Sequence, residues 1–262
     1  MNFPEMSRFK KIYVQILKKM EALTSLAIHL TKYTGKSKAP MHPKYLINDI
    51  PWFTQLISKN DRLLDIGCGN GNNSFVAAKT AEHVVAIDVS SNDIKIASKL
   101  AKTGKITNIT FAVRDANKKL PFSSKQFDKV LMFDVLEHLH KRELALGEAR
   151  RVLKRNGLLL LVTDNPETSW KKFQKSAGLF YYADADHKYE YPRREITKLL
   201  KDNGFQITSV EPDTYDTPLK PFIDLVGGFS LAFYVKLSHW RKLMVLRHPH
   251  ETTGFQIIAV KQ

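Results

Sequence analysis

The sequence predicts an α/β fold with an open, mostly parallel sheet, and three observations carry that prediction. From Asp61 onward, short apolar runs alternate with helical stretches, as they do when crossover helices join parallel strands. The first run, Leu63-Leu64-Asp65-Ile66, breaks off into Gly67, Gly69 and Gly71 and passes directly into a helix over Ser74–Lys79. Later runs end on or near an acid: Asp88, Asp115 and Asp134. In open α/β sheets the ligand sits past the carboxyl ends of the strands, so these acids are candidate site residues.

The elements follow in order. Residues 8–32 read as an amphipathic helix, with Ile12, Ile16, Met20, Leu23, Ala27 and Leu30 at steps of three and four. Such a helix either caps the fold or lies on anionic lipid through its lysines. Gly35, Pro40 and Pro43 punctuate a loop, and a second helix is expected over Tyr45–Ser58, interrupted near Pro51. The predicted strands are Arg62–Ile66, Val84–Ile87, Ile109–Val113, Lys129–Phe133, Leu158–Thr163, Phe205–Val210 and Phe255–Val260. The predicted helices between them are Ser91–Thr103, Arg142–Leu153 and Arg193–Asn203. Ser90 or Ser91 is the expected N-cap of the first. Asn156-Gly157 is expected to close the second, and Gly204 to sit just past the third. The expected organisation is a helical cap over 1–59 and a main domain over 60–262 with an insertion at 215–253.

Composition narrows the function. The single cysteine, Cys68, excludes an internal disulfide framework and a Cys-rich zinc site. It fits a reducing compartment, so a cytoplasmic protein is expected. The start MNFPEMSRFKK contains no uninterrupted apolar core of a secretory signal. No apolar run reaches the roughly 18 residues of a membrane-spanning helix. The net charge of +15 favours anionic partners, whether nucleic acid, a membrane surface or acidic metabolites. Residues 1–60 carry ten Lys/Arg against three acids, nearly half of that excess.

The glycine turn is chemically specific. Glycine permits positive φ and a close backbone approach to a ligand. The helix behind it aims N–H groups at the same place. The spacing is G-x-G-x-G rather than the G-x-G-x-x-G of dinucleotide binders, because Asn72 replaces the third glycine. Asp65 inside the strand suits a cationic ligand better than a pyrophosphate.

The string Asp65-Ile66-Gly67-Cys68-Gly69-Asn70-Gly71 resembles the S-adenosylmethionine (SAM) loop of class I methyltransferases. Leu120-Pro121-Phe122 and Phe127-Asp128-Lys129-Val130 are also typical of that family. The resemblance implies a Rossmann-like seven-stranded sheet whose last strand runs antiparallel beside the fifth. It implies SAM as cofactor, held by Asp65, Gly67, Gly69 and Gly71, with Asp88 on the ribose hydroxyls. Asp115 and Ala116 would meet the adenine, and Asp134 would lie beside the transferred methyl.

Catalytic candidates are fewer, because SAM already carries an activated methyl. Asp134, His138 and His187 are the three. Glu137-His138 looks like the matching segment of quinone-biosynthesis and related small-molecule methyltransferases. In some of those the pair helps hold a divalent metal, and in others it is structural; no metal ligand is assigned here. Relatives often carry a histidine at the position of His187, facing the substrate. Tyr181, Tyr182, Tyr189 and Tyr191 crowd the same stretch. The Asp/Asn-Pro-Pro-Tyr/Phe signature of base-amine methyltransferases is absent after the fourth strand, where Asp134-Val135-Leu136-Glu137 stands.

Residues 215–253 depart from the family's short hairpin. Pro221–Val235 is the most apolar window of the chain, flanked by Lys220, Lys236, Arg241, Lys242 and Arg247. It reads as a lid, a homodimer contact or a segment docking peripherally on an anionic membrane. The expected acceptor is a small or lipid-like molecule methylated on O or C. The alternatives are an RNA or protein methyltransferase using the basic surface, or a catalytically silent SAM-binding partner protein. A nucleotide-dependent oxidoreductase is the distant rival.

Overall fold

The computed structural model describes residues 23, 26–34, 42–46 and 51–262. The chain divides into two compact units, one drawn from 1–49, 166–185 and 212–253, the other from 50–165, 186–211 and 254–262.

The second unit holds a seven-stranded sheet. Its strands are β1 (Arg62–Ile66), β2 (His83–Asp88), β3 (Ile109–Val113), β4 (Phe127–Phe133), β5 (Leu153–Asp164), β6 (Phe205–Pro212) and β7 (Gly254–Lys261). They lie in the order β3-β2-β1-β4-β5-β7-β6. β1 pairs in parallel with both β2 and β4, and β4 in parallel with β5. β7 runs antiparallel to β5, with Leu158 opposite Val260 and Asp164 opposite Gly254. An added Cβ at Gly254 would lie 2.6 Å from the Thr163 carbonyl oxygen, so glycine permits this close pairing.

The helices of this unit are α1 (Asn72–Ala78), α2 (Ser91–Thr103), α3 (Arg142–Val152) and, further along the chain, α5 (Arg193–Asp202). Ser90 caps α2, its hydroxyl accepting from the Asp93 N–H at 3.2 Å. Ile94, Ala97 and Ala101 form the buried stripe of α2. Gly204 follows α5 with φ +75°, where its N–H reaches the Lys201 carbonyl at 2.9 Å.

Successive side chains of a strand face opposite sides of the sheet, and the core divides accordingly. Leu64, Ile66, Val130, Met132, Leu159 and Leu161 pack on one face with Leu146, Ala149, Ile196 and Leu200 from α3 and α5. Leu63, Val84, Ala86, Leu131 and Leu160 pack on the other with Phe53, Ile57 and Ala77. The central strands are buried on both faces, so they read as continuous apolar runs.

Two predicted boundaries change. Leu153 opens β5 instead of closing α3. Asn156-Gly157 falls inside β5, where the register to β4 jumps from Phe127 opposite Leu153 to Lys129 opposite Leu158. Where a helix interrupted near Pro51 is predicted over Tyr45–Ser58, the described residues form two short 3-10 turns, Pro43–Tyr45 and Trp52–Leu56. Pro51, with ψ 140°, is extended and caps the second turn. Residues 47–50 lie outside the described residues. So does most of the predicted helix over 8–32, of which residues 26–30 are helical and lead into a 3-10 turn at Thr31–Thr34.

The first unit is helical, with α4 (Ser169–Ser176), α6 (Lys220–Phe229) and α7 (Leu231–Arg247). Thr168 caps α4 and also donates to Asp216 at 2.6 Å. Gly227 and Gly228 let α6 sit against Pro43 and Ala27, because a Cβ there would meet them at 2.6 and 2.9 Å. Among the described residues no helix is long and apolar enough to cross a membrane.

Candidate active site

The sheet order reverses between β1 and β4, and the site residues gather past the carboxyl ends there. Gly67, Gly69 and Gly71 all take positive φ, at +73°, +51° and +88°. The Gly67 and Cys68 N–H groups donate to the Ile87 carbonyl at 2.8 and 3.0 Å, tying the turn to β2. Val135 packs directly onto Gly67, where an added Cβ would lie 2.2 Å from Val135 Cγ2. Gly69 meets nothing within 4 Å of its Cβ direction, so the loop is open at that point.

Two acids grip this loop. Asp88 accepts from the Gly69 N–H at 2.8 Å through one oxygen and from the Ser90 N–H at 2.8 Å through the other. Asp65 is buried and accepts from the Ser74 hydroxyl at 2.5 Å. Burial pushes the Asp65 carboxyl up to about 7, and neighbouring Asp88 adds to the rise. The same burial pushes the Cys68 thiol upward, away from the reactive thiolate.

Asp115 follows β3 as an Asx turn, accepting from the Asn117 N–H at 2.8 Å and the Asn117 side chain at 3.1 Å. The Asn117 N–H is the main reason its carboxyl lies below the usual range. Ala116 beside it packs on the core. This set fits SAM: an open approach at Gly69 in the glycine turn, and carboxylates at three successive strand ends.

A second cluster lies past β4 and β5. Asp134 has φ +55°, and its N–H donates to Val162 at 3.0 Å. Glu137 and His138 follow in a 3-10 turn. Glu137 is fully buried; one oxygen accepts from Thr163 at 3.3 Å, and Oε1 has no hydrogen-bond partner among the described residues. Burial holds the Glu137 carboxyl well above the ordinary range, with Asp134 and Asp164 adding to it. The Glu137 carbonyl accepts from the Lys188 and Tyr189 N–H groups at 2.7 and 3.2 Å. These bonds bring His187 over the turn, edge-on to His138 with ring centroids 4.6 Å apart.

His187 Nδ1 lies 2.9 Å from Glu190 Oε1 and 3.9 Å from Asp164 Oδ2. Glu137, Asp164 and His187 offer ligand atoms within 4.8 Å of one another, so these described residues could hold a metal ion.

The tyrosines divide. Tyr189 and Tyr191 pair at 5.0 Å and flank the Arg142 guanidinium, whereas Tyr181 and Tyr182 pair at 4.8 Å in the helical unit. Sequence reasoning missed Glu190 and gave Asp164 no role. The only available signal was the spacing of His187-Lys188-Tyr189-Glu190, three residues from imidazole to carboxylate.

A family model described as a methyltransferase domain matches residues 57–214. The chain is 35% identical over 107 residues to a ubiquinone biosynthesis O-methyltransferase of Pelagibacter ubique, covering 41% of this chain and 43% of that one. The chain thus spans under half the length of that relative. It is 29% identical over 170 residues to a sphingolipid C9-methyltransferase of Candida albicans, covering 59% of this chain and 32% of that one. Among solved structures, a SAM-dependent methyltransferase of Methanosarcina mazei superposes with a TM-score of 0.57 at 22% identity. That match covers 82% of this chain and 99% of the other, and shows the shared fold.

Proposed function

We propose that this chain, which belongs to the class I SAM-dependent methyltransferase family, transfers a methyl group to oxygen or carbon of a small, lipid-like acceptor. The observation that carries this reading is the loop after β1. Three glycines at positive φ surround an open approach at Gly69, and Asp88 fixes the loop from the neighbouring strand.

Asp65 and the glycine turn would hold the cationic end of SAM, Asp88 its ribose hydroxyls, and Asp115 with Ala116 its adenine. Bound there, SAM supplies an activated sulfonium methyl. The chain's own task is to orient the acceptor and move its proton. His187 suits the second part: Glu190 accepts from Nδ1–H, which leaves Nε2 as the basic nitrogen. Burial raises the Glu137 carboxyl above the ordinary glutamate range beside that base. His138 packs edge-on against the His187 ring. The relatives named for ubiquinone biosynthesis and sphingolipid methylation support a lipid-like acceptor.

The test is transfer of radiolabelled methyl from SAM into a cell extract, split into organic-soluble, aqueous and macromolecular fractions. Label in the organic fraction supports the proposal. Label in RNA or protein overturns the acceptor. No label in any fraction, with SAM still bound, overturns the enzyme in favour of a SAM-binding partner protein.

A further inference from the structure

Helices α6 and α7 form a hairpin that buries one narrow stripe and leaves the rest outward. On α7, only Tyr234, Arg241 and Val245 are buried in a 17-residue helix. Arg241 anchors the helix, its guanidinium donating to the Tyr215 carbonyl at 2.8 Å and to Thr214 at 3.2 Å. Large apolar side chains point away from that stripe: Phe222, Phe229, Phe233, Trp240, Leu243 and Leu246 are 38–71% exposed. With Val235, this hairpin carries seven of the fifteen exposed large hydrophobics among the described residues. A soluble surface does not ordinarily concentrate them so.

The charges on the hairpin have one sign. Residues 220–247 contain Lys220, Lys236, Arg241, Lys242 and Arg247 against a single acid, Asp224. Asp224 is buried and bound to Lys220 at 2.6 Å, and lies 3.4 Å from His42. The outward face of α7 carries Lys236 and Arg247, and the helix itself contains no acid. Lys236 Nζ lies over the Phe233 ring, 5.7 Å from its centroid.

We infer that this hairpin docks flat on an anionic lipid bilayer, with Phe229, Phe233, Trp240, Leu243 and Leu246 in the headgroup–acyl boundary and the basic side chains on lipid phosphates. The inference deepens the lipid-like acceptor proposed above, because a docked enzyme meets such an acceptor where it dissolves. A second copy of the chain is the poorer occupant. A two-fold contact centred on this face would gather the Lys236 and Arg247 side chains of both copies, with no acid on α7 to offset them. RNA is poorer too, because aliphatic Val235, Leu243 and Leu246 offer bases neither stacking nor hydrogen bonds.

The experiment is co-sedimentation of the full chain, without SAM or acceptor, with phosphatidylcholine vesicles that contain or lack phosphatidylglycerol. The expected result is binding at least about tenfold tighter to the anionic vesicles and weakened by salt. The variant Phe233→Ser/Leu243→Ser/Leu246→Ser loses binding to both vesicle types by about tenfold or more, with its melting temperature nearly unchanged because all three side chains are exposed. The variant Lys236→Gln/Arg247→Gln loses the preference for anionic lipid. No binding to anionic vesicles, or equal binding by the serine variant, overturns the proposal. So does a dimer in solution that the serine variant disperses. Because no methyl transfer is read, failure here leaves the acceptor test independent.

Discussion

The loop after β1 and the cluster past β4 and β5 sit on adjacent strands and work by opposite means. The loop is a backbone device: positive φ, N–H donors, and carboxylates that hold the turn in shape. The cluster is a side-chain device, in which Glu137, His187 and Glu190 are buried and spaced by a segment returning after β5. Val135, packed on Gly67 two residues before Glu137, joins them. The difference teaches where each is fragile. A backbone device fails when a Cβ is added, and a side-chain device fails when a proton or a partner is removed.

The largest expected effect is at Gly67. Gly67→Ala places a Cβ on Val135 and forces an L-residue to φ +73°. The strain of about 1–2 kcal/mol and the clash of about 1–3 kcal/mol should cost cofactor affinity roughly a hundredfold, read by calorimetry. Gly69→Ala has φ +51° but open space, so strain alone remains and the loss should be about tenfold. Equal losses at the two glycines would break the backbone account.

Next comes His187. His187→Asn should lower methyl transfer by about 10²–10⁴, the usual contribution of a general base, while SAM affinity stays within a few-fold. Glu190→Gln should lower it less, and should shift the pH profile of kcat toward higher proton concentration if Glu190 raises the basicity of His187. An unchanged profile would reduce Glu190 to a packing role.

A smaller effect concerns protons at Asp65. Its carboxyl is raised from 3.8 to about 7, so across that window the folded chain holds a proton that the unfolded chain has lost. Folding stability from this group therefore declines as pH rises from about 4 to about 7, then levels off. A cationic cofactor favours the ionised form, so its binding should release a proton below about pH 7 and tighten as pH rises through that value. Asp65→Asn should flatten both trends in melts and in calorimetry across buffers. The smallest effect is at Asp115, where Asp115→Asn keeps part of the turn to Asn117 and should cost under about tenfold in SAM affinity.

The same contrast decides what was legible in the residues. Gly67, Gly69, Gly71, Asp88 and the seven strands announce themselves locally, through turn chemistry, apolar runs and strand-end acids. Ser90 and Gly204 did so too, as cap and terminator. Glu190 and Asp164 became visible only when the Glu137 carbonyl took the Lys188 and Tyr189 N–H groups and closed a long return segment. No period or spacing encodes that closure. Within the helix expected over Tyr45–Ser58, the interruption near Pro51 was legible, but the residues after it close as a 3-10 turn, Trp52–Leu56, rather than as α-helix. The α6–α7 hairpin was read as an apolar, basic insertion, but its narrow buried stripe depends on Gly227 and Gly228 fitting against Pro43 and Ala27.

The most direct measurement pairs SAM affinity with methyl transfer into the organic fraction for wild type, Gly67→Ala and His187→Asn. The account predicts that Gly67→Ala loses both, whereas His187→Asn keeps SAM affinity within a few-fold and loses transfer by about a hundredfold or more. Transfer by His187→Asn at the wild-type rate, or a parallel loss of SAM affinity in that variant, would contradict the division of labour between loop and cluster.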